Sequence, residues 1–308
     1  MRPIEKRSRT TWCAAVILSI AVFSILGYAQ APPPNYPPSQ SYPSPPLPPP
    51  AELDRLVSRI ALYPDPLLSQ VLAAATFPDQ IPDAARWADQ HHYLTGDALA
   101  GAIQADRLPW DPSVQSLLPF PSVLDIMAGD INWTSQLGNA FLASQGAVMD
   151  AVQRERRLAY DYGYLRGNAQ MVVTPGPYIV IAPANPAFVY VPIYDPLVVY
   201  ARPRPGFYVA GAIRFGWAFN ITAGFRPWGW GYNRFAWDRH TVFINNTVWN
   251  RTYVNRNSYV HPYQLPRYEA PRRVEGHELH ERSAHEREEY GRGGRGHVEE
   301  HERRDERR

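Results

Sequence analysis

The spacing of apolar residues predicts a helical domain at residues 51–170. Apolar side chains recur there at the i, i+3, i+4, i+7 spacing that places them on one face of a helix. The longest run starts near Asp130 and ends near Gly163 or Gly167, and it predicts one long helix. Several helices joined by short links are expected to bury one shared core. Shorter runs with the same spacing begin at Leu53, Leu67, Ile81 and Leu99.

After residue 170 the apolar pattern becomes that of short β-strands. Runs rich in β-branched and aromatic residues predict strands at 178–181, 188–191, 197–200 and 241–248. Prolines between these runs favour edge strands or a small meander over the centre of a large sheet. The chain is therefore predicted to be α+β, with a small antiparallel, aromatic-rich β region at residues 171–260 after the multi-helix domain.

Residues 1–31 have the three parts of a secretory signal peptide. A positively charged start precedes an apolar run of 15 residues, 12–26, and small residues follow at Ala29 and Ala31. The apolar run is short for a membrane-spanning helix, which needs about 20 apolar residues. We therefore expect the signal to be cleaved and the protein to be exported to the periplasm or cell envelope. The alternative is an uncleaved N-terminal anchor in the inner membrane.

Removal of the signal excludes several kinds of chemistry. Cys13 is the only cysteine and Lys6 the only lysine, so the mature chain contains neither residue type. It cannot form disulfides or sites that need a cysteine thiolate, including many zinc and iron–sulfur sites. Mechanisms that use a Schiff-base lysine or a P-loop lysine are excluded for the same reason.

Two segments lack the apolar residues that a core requires. Residues 32–50 contain 11 prolines and no charge, as in a polyproline II spacer, which serves as a tether or as a ligand for a proline-recognition domain. Residues 261–308 form an Arg/Glu/His-rich tail that is predicted to be disordered. Histidine pairs in the tail could chelate a transition metal if it became helical, or could bind one weakly and adventitiously. These pairs are His277 with His280 and His297 with His301.

Charge is segregated along the chain. The predicted helical domain carries a net charge of −6, whereas residues 201–268 hold nine arginines against one acid, Asp238. The same segment holds 16 aromatic residues between Phe207 and Tyr263. Aromatic faces stack on sugars or bases, and arginine pairs with phosphate or carboxylate. Alternatively, the aromatic residues pack a small β core with arginines at its rim, and the surplus positive charge docks on the acidic helical domain.

Three Asp-Pro pairs present carboxylates that are candidates for catalysis. Asp is favoured at the N-cap of a helix and Pro at the next position, so we interpret Asp65 and Asp111 as helix caps. Asp195 precedes a strand-like run, where a turn is expected. If the protein is an enzyme that acts on cell wall or polysaccharide, its candidate acids are Asp65, Asp195 and Asp238. No motif assigns a catalytic, cofactor-binding or metal-binding residue.

Four sequence motifs occur in order along the chain. They are LYPDPLLSQVLAAAT at 62–76, WDPSVQSLLPFP at 110–121, WT-x-QLG-x-x-FL with VMDAVQ within 133–153, and VYVPIYDP at 189–196. Together they resemble the bacterial domain-of-unknown-function family 3300. The resemblance covers about residues 52–200 and is expected to continue to about residue 255. It implies an exported envelope protein without an established activity.

The resemblance also implies a long apolar Gly/Ala-rich stretch after the Tyr-Asp-Pro motif, for which members of the family are suspected to be membrane proteins. This chain differs there, because Arg214 and Asn220 interrupt residues 207–225 and Arg226 follows. A lipid-exposed arginine near the centre of a bilayer costs about 2.5–3.5 kcal/mol. No second transmembrane helix is therefore expected.

These features predict a non-enzymatic structural or binding protein of the cell envelope. Its basic aromatic region would contact an anionic envelope polymer, lipid headgroups or an envelope protein. Cytoplasmic nucleic acid is excluded as a partner by the signal. The alternatives are a cell-wall or polysaccharide-active enzyme and metal binding by the histidines of the tail. No cofactor is expected.

Overall fold

The structure, a computed structural model, describes residues 46–203, 211–263 and 265. The predicted signal, most of the Pro-rich linker and nearly all of the charged tail lie outside these residues. The predictions made for those segments, including the metal-binding histidine pairs, therefore stay predictions.

Nine α-helices lie within the described residues. Six of them carry proline at the first or second helical position, where its fixed φ suits the helix and its missing N–H is not needed. The helices are α1 (Pro50–Val57), α2 (Asp65–Ala74), α3 (Ile81–Gln90), α4 (Gly96–Ala105), α5 (Pro112–Gln115), α6 (Pro121–Gly129), α7 (Ile131–Ala143), α8 (Gln145–Asp161) and α9 (Pro196–Val199). Short 3-10 helices lie at Pro78–Gln80, Ala223–Trp228 and Trp237–Arg239.

The single long helix predicted from Asp130 to Gly163 or Gly167 is wrong, because the chain breaks it at Ser144. Ser144 is extended, with φ −158° and ψ 101°, and its hydroxyl accepts a hydrogen bond from the Ala147 amide at 3.2 Å. A serine that caps the following turn ends one helix and starts the next without changing the apolar spacing. The predicted start near Asp130 is confirmed, since its carboxylate caps α7.

The strands form three small antiparallel sheets, which confirms the α+β class. The first sheet pairs β1 with β2, the second pairs β3 with β4, and the third has the order β5-β6-β7. The strands are β1 (Met171–Thr174), β2 (Val180–Pro183), β3 (Phe188–Tyr194), β4 (Ile213–Asn220), β5 (Arg234–Ala236), β6 (Thr241–Ile244) and β7 (Thr247–Val248).

Two of the predicted strands are corrected by the structure. Residues 197–200 lie within and after the one-turn helix α9 and form no strand. Residues 241–248 form the hairpin β6–β7, because Asn245 and Asn246 turn the chain with φ 51° and 59°. Two consecutive residues with positive φ are typical of a two-residue hairpin turn, in which asparagine is well tolerated. Strands β1, β4 and β5 were not predicted.

The helices and the aromatic β region share one hydrophobic core. Residues such as Leu72 and Phe141 of the helices belong to the same buried cluster as Trp228, Trp230 and Trp249. The expectation that the aromatic residues pack a separate small β core is therefore wrong. Helices α2 and α7 approach closely at Gly138, where a Cβ would overlap the carbonyl of Ala75. The aromatic segment instead completes the core that the short helices leave open.

Candidate functional site

Asp65 and Arg156 form a buried ion pair between α2 and α8. Nη1 of Arg156 lies 2.7 Å from Oδ1 of Asp65, and the arginine side chain has no solvent exposure. The indole N–H of Trp237 donates to the other carboxylate oxygen at 3.0 Å, and the guanidinium lies 5.0 Å from the centre of that indole ring. We refer to Asp65, Arg156 and Trp237 as the Asp65 cluster.

All three guanidinium nitrogens of Arg156 have further or other partners in the backbone. Nε donates to the carbonyl of Ala61, Nη2 donates to that of Tyr63, and Nη1 also reaches the carbonyl of Ile179 at 2.8 Å. One side chain thus links α8, the α1–α2 connection and the residue before β2. Removal of Arg156 would leave the Asp65 carboxylate buried and unpaired, which is strongly destabilising. We therefore interpret this ion pair as a contact that maintains the fold.

The Asp65 cluster corrects the prediction that Asp65 caps a helix. Helix α2 starts at Asp65, its N-cap is Pro64, and no side chain bonds to its first amides. Both oxygens of the carboxylate are already bound by Arg156 and Trp237. The prediction for Asp111 is confirmed, since Oδ1 of Asp111 accepts from the Ser113 amide at 2.9 Å.

Asp195 caps a helix where a turn was expected. Its Oδ1 accepts from the amide of Leu197 at 2.9 Å, at the start of α9. Two tyrosines hold this turn against α1, because the hydroxyls of Tyr194 and Tyr200 both donate to the carbonyl of Ser58 at 2.9 Å. Burial raises the pKa of both phenols well above their ordinary value, so the hydroxyls stay protonated.

The three candidate acids of a hydrolase have separate partners. Asp65 is bound within its buried cluster, Asp195 caps α9, and Asp238 lies exposed beside the guanidinium of Arg239. Paired carboxylates that work as acid and base flank a common substrate position, and these contacts do not build one. Among residues 46–203, 211–263 and 265, no three His, Cys, Asp or Glu side chains gather as a metal site would require.

A polar cleft of about 500 Å³ lies between α1, α7 and α9. Arg59 pairs there with Asp130 at 3.0 Å and lies 5.1 Å from the ring centre of Trp133. Arg55 and Gln136 complete the polar wall. The cleft offers guanidinium, carboxylate and amide groups to a small polar ligand, and its two acids are Glu52 and the Asp130 that pairs with Arg59.

The basic aromatic segment separates its two residue types. Four of its five tryptophans point inward, since Trp228, Trp230, Trp237 and Trp249 are each at most 5 % exposed, whereas Trp217 faces solvent. Five arginines of the same segment are exposed, and we refer to them as the arginine surface. They are Arg202, Arg214, Arg226, Arg234 and Arg239.

The alternative in which the surplus positive charge docks on the acidic helices is not what the structure shows for these five arginines. Among the described residues, none of the five forms an ion pair with a carboxylate of α1–α8, and only Arg239 pairs with an acid, its neighbour Asp238. Arg234 instead lies 4.1 Å from the ring centre of Phe243 and donates to the side chain of Asn246. The charge of these arginines is therefore left facing solvent.

The last described segment docks on the helices through a polar cluster that is incompletely paired. Nη1 of Arg251 donates to the hydroxyl of Thr76 at 2.8 Å, and the guanidinium lies 3.7 Å from the ring centre of Phe77. Nε2 of His261 lies 3.8 Å from Oδ1 of Asp111, and both side chains are at most 10 % exposed. We refer to Asp111, Arg251 and His261 with their contacts as the His261 cluster.

The surroundings of His261 favour the neutral form of its imidazole. Its Nδ1 lies 3.2 Å from the carbonyl of Tyr263, while Nε2 is buried without a hydrogen-bond partner among the described residues. Burial lowers the pKa of His261, and the nearby carboxylate of Asp111 offsets that effect only in part. At 3.8 Å, the contact between Nε2 of His261 and Asp111 is too long for a hydrogen bond. Because the imidazole favours its neutral form, the contact is also not a full ion pair.

A model of the family described as "Protein of unknown function (DUF3300)" matches residues 49–278 of the chain. The chain belongs to this family. It is also 37% identical over 185 residues to the "Uncharacterized protein YacH" of Escherichia coli (strain K12), a match that covers 49% of this chain and 30% of that protein. The chain thus spans less than a third of the length of YacH. No solved structure matches the chain.

Residues of the DUF3300 motifs identify the family and also form contacts that maintain the fold. The LYPDP motif contributes Asp65 and the carbonyl of Tyr63 to the Asp65 cluster, and the YDP motif contributes Tyr194 and the cap Asp195. The resemblance named from these motifs is confirmed. Within the described residues of this family member, no helix combines the length and apolar character needed to cross a membrane.

Arg156 is the main residue of the site that was not singled out from the sequence. It lies on the apolar face of α8, four residues after Val152 and three before Ala159, and both of those residues are fully buried. An arginine at such a position indicates a buried ion pair. The periodicity therefore held a signal for Arg156, although its partner Asp65 lies 91 positions away.

Proposed function

We propose that this member of the DUF3300 family is an exported, non-enzymatic protein of the cell envelope that binds an anionic component there. The arginine surface carries this proposal. Five exposed guanidinium groups lack carboxylate partners from the acidic helices, although those helices belong to the same core. Uncompensated arginines attract phosphate or carboxylate groups, with a strength that falls as salt screens the charges.

The core supports a binding role for the arginines by accounting for the aromatic residues. The buried tryptophans are engaged in packing, so they are not available as a continuous platform for sugars or bases. The exposed arginines are therefore the side chains of this segment that are most available to a partner. Charge attraction is long-ranged at low salt and needs no deep pocket.

Binding is tested with the chain lacking residues 1–31 and with isolated envelope fragments. We expect co-sedimentation at low salt that weakens as salt is added, because screening shortens the range of the attraction. Replacing Arg202, Arg226 and Arg239 by Gln should lower the association constant roughly a hundredfold, given about 1 kcal/mol for each arginine near an anionic surface.

A matched variant separates the arginine surface from net charge alone. Arg55, Arg86 and Arg107 lie exposed in the helical part, and replacing them by Gln removes the same amount of charge. This control should bind nearly as the parent chain does. Equal loss in both variants, or binding that salt leaves unchanged, would refute a role for the arginine surface.

Export is the second part of the proposal and rests on the signal-like residues 1–31. Mass spectrometry of the protein recovered from the periplasm or envelope should show a chain that begins after Ala29 or Ala31. An intact Met1 on exported protein would replace cleavage with an N-terminal anchor. Recovery of the chain only from the cytoplasm would overturn the envelope role.

The separate partners of the candidate acids give the enzymatic alternative no support. Asp195→Asn and Asp238→Asn should retain envelope binding, because neither change removes a positive charge from the arginine surface. Metal binding by the tail is tested by deleting residues 277–308 and measuring zinc binding by calorimetry. That hypothesis concerns histidines outside the described residues.

A further inference from the structure

A bulge interrupts the pairing of β3 with β4. The antiparallel register shifts between Tyr190 and Pro192. Two residues of β4, Gly216 and Trp217, therefore stand opposite the single residue Val191. A bulge of this kind bends its strand and redirects a side chain. Trp217 is 97% exposed, so the bulge directs its indole ring into solvent.

Trp217 differs from the other tryptophans of the described residues, which are buried or half-buried. Its neighbours along the strand, Phe215 and Phe219, pack partly against the core. Phe215 and Phe219 are thus partly buried on either side of the bulge, and the largest side chain of the strand, Trp217, is exposed. Large apolar side chains exposed at neighbouring positions mark interaction sites.

Two exposed side chains accompany the indole. Ile193 and Arg214 are directly paired residues of β3 and β4, so they share one face of the sheet. Cδ1 of Ile193 lies 3.7 Å from the position that a Cβ would take on Gly216, which places it beside the bulge. Ile193 is 48% exposed, and Leu197, four residues later in α9, is 85% exposed.

We propose that the bulge surface, formed by Ile193, Arg214 and Trp217, contacts the headgroup region of an anionic lipid membrane. This inference rests on the proposed function and names the anionic component as lipid. An indole ring is amphipathic and favours the boundary between water and acyl chains. Arg214 would meet lipid phosphates, while the aliphatic side chains enter the edge of the acyl region.

The aliphatic neighbours favour lipid over an anionic polysaccharide. A sugar polymer could stack on Trp217 and pair with Arg214, but it would leave Ile193 and Leu197 in water. A lipid surface removes all of these apolar side chains from water at once. The arginines elsewhere on the arginine surface add attraction to the same negatively charged membrane.

Vesicles of phosphatidylglycerol and phosphatidylcholine test the inference with the chain lacking residues 1–31. Tryptophan emission should shift to shorter wavelength when these vesicles are added, because Trp217 leaves water. The shift should disappear in Trp217→Phe and remain in Trp110→Phe, whose site is half-buried in the helical part. Polygalacturonate serves as the soluble anionic polysaccharide in a parallel titration.

Sedimentation with the same vesicles measures the partition coefficient. Trp217→Ala should lower it about tenfold, as expected for withdrawing a large apolar side chain. Arg214→Gln should lower it about fivefold, and Arg55→Gln should have little effect. Thermal unfolding should be unchanged in Trp217→Ala, since the replaced side chain is exposed.

The outcomes separate this inference from the function on which it rests. An emission shift that persists in Trp217→Phe, or that only polygalacturonate produces, would overturn the lipid contact. Unchanged partition of Trp217→Ala would overturn it as well. Salt-sensitive binding to envelope fragments would then still support the arginine surface. Failure to bind either vesicles or fragments would overturn both proposals.

Discussion

Two buried contacts between an acid and a base, one in the Asp65 cluster and one in the His261 cluster, differ in their completeness. In the Asp65 cluster, every guanidinium nitrogen of Arg156 and both carboxylate oxygens have hydrogen-bond partners. In the His261 cluster, the base stops 3.8 Å from Asp111 and its Nε2 has no partner among the described residues.

The difference follows from the chemistry of the two bases. An arginine stays charged at any pH at which proteins fold, so burial forces it to be paired. An imidazole can lose its proton when buried, so the His261 cluster tolerates an unpaired nitrogen. The first contact therefore stabilises the fold, whereas the second makes the attachment of residues 251–263 sensitive to pH.

The largest effect is expected from breaking the complete contact. Arg156→Met should lower the free energy of unfolding by about 3–5 kcal/mol, because it leaves Asp65 buried and unpaired. Urea unfolding measures this change. Arg154→Gln, which breaks the partly exposed ion pair with Asp54, is the control and should cost less than about 1 kcal/mol. A loss of similar size in both variants would contradict the assignment of the Asp65 cluster.

Glu155, the residue before Arg156 in α8, is a further buried group whose titration affects stability. Burial, and secondarily the charge of Asp54, raises its pKa to about 7. Its folded-state pKa exceeds the unfolded value, so the contribution of Glu155 to stability is greatest below about pH 4.3 and declines as the pH rises through 7. Glu155→Gln should remove that decline and stabilise the protein at alkaline pH by at most about 3 kcal/mol. Urea unfolding across pH measures the effect, and a Glu155→Gln curve parallel to that of the parent would contradict it.

A smaller effect is expected at the carboxylate of the incomplete contact. Asp111→Ala removes the cap of α5 and should lower the free energy of unfolding by about 1 kcal/mol. Asp111→Asn should retain most of the stability, because asparagine also caps helices. Thermal unfolding distinguishes the two variants. If both lose the same amount, the charge that faces His261 matters more than the cap.

The smallest effect is a pH dependence of opposite sign to that of Glu155. The folded-state pKa of His261 is lowered by burial, so its contribution is present above the ordinary value of about 6.5 and is lost as the pH falls. His261→Gln cannot titrate and should lose less stability on acidification. Limited proteolysis after Arg256 at neutral and mildly acidic pH measures the attachment, with the exposed His92→Gln as control. Equal acid sensitivity in parent and His261→Gln would exclude the imidazole as the cause.

The two contacts also show which parts of the site were accessible from the sequence. The cap Asp111 was predicted correctly, because capping uses an amide only two residues away. Asp65 has the same Asp-Pro pattern, and there the prediction was wrong, because Arg156 and Trp237 compete for its carboxylate from 91 and 172 positions away. Distant partners of this kind leave no mark in local spacing.

Local sequence patterns were sufficient to predict the α+β class, most of the helical segments, the family from its four motifs and the separation of arginines from acids. Each of these depends on periodicity, capping or composition within a short stretch of chain. Tertiary structure alone decided that the tryptophans complete the helical core, that Arg156 binds Asp65 and that the bulge exposes Trp217. Those outcomes depend on which apolar surface is left uncovered by elements distant in the chain, and burial is settled only when these surfaces meet.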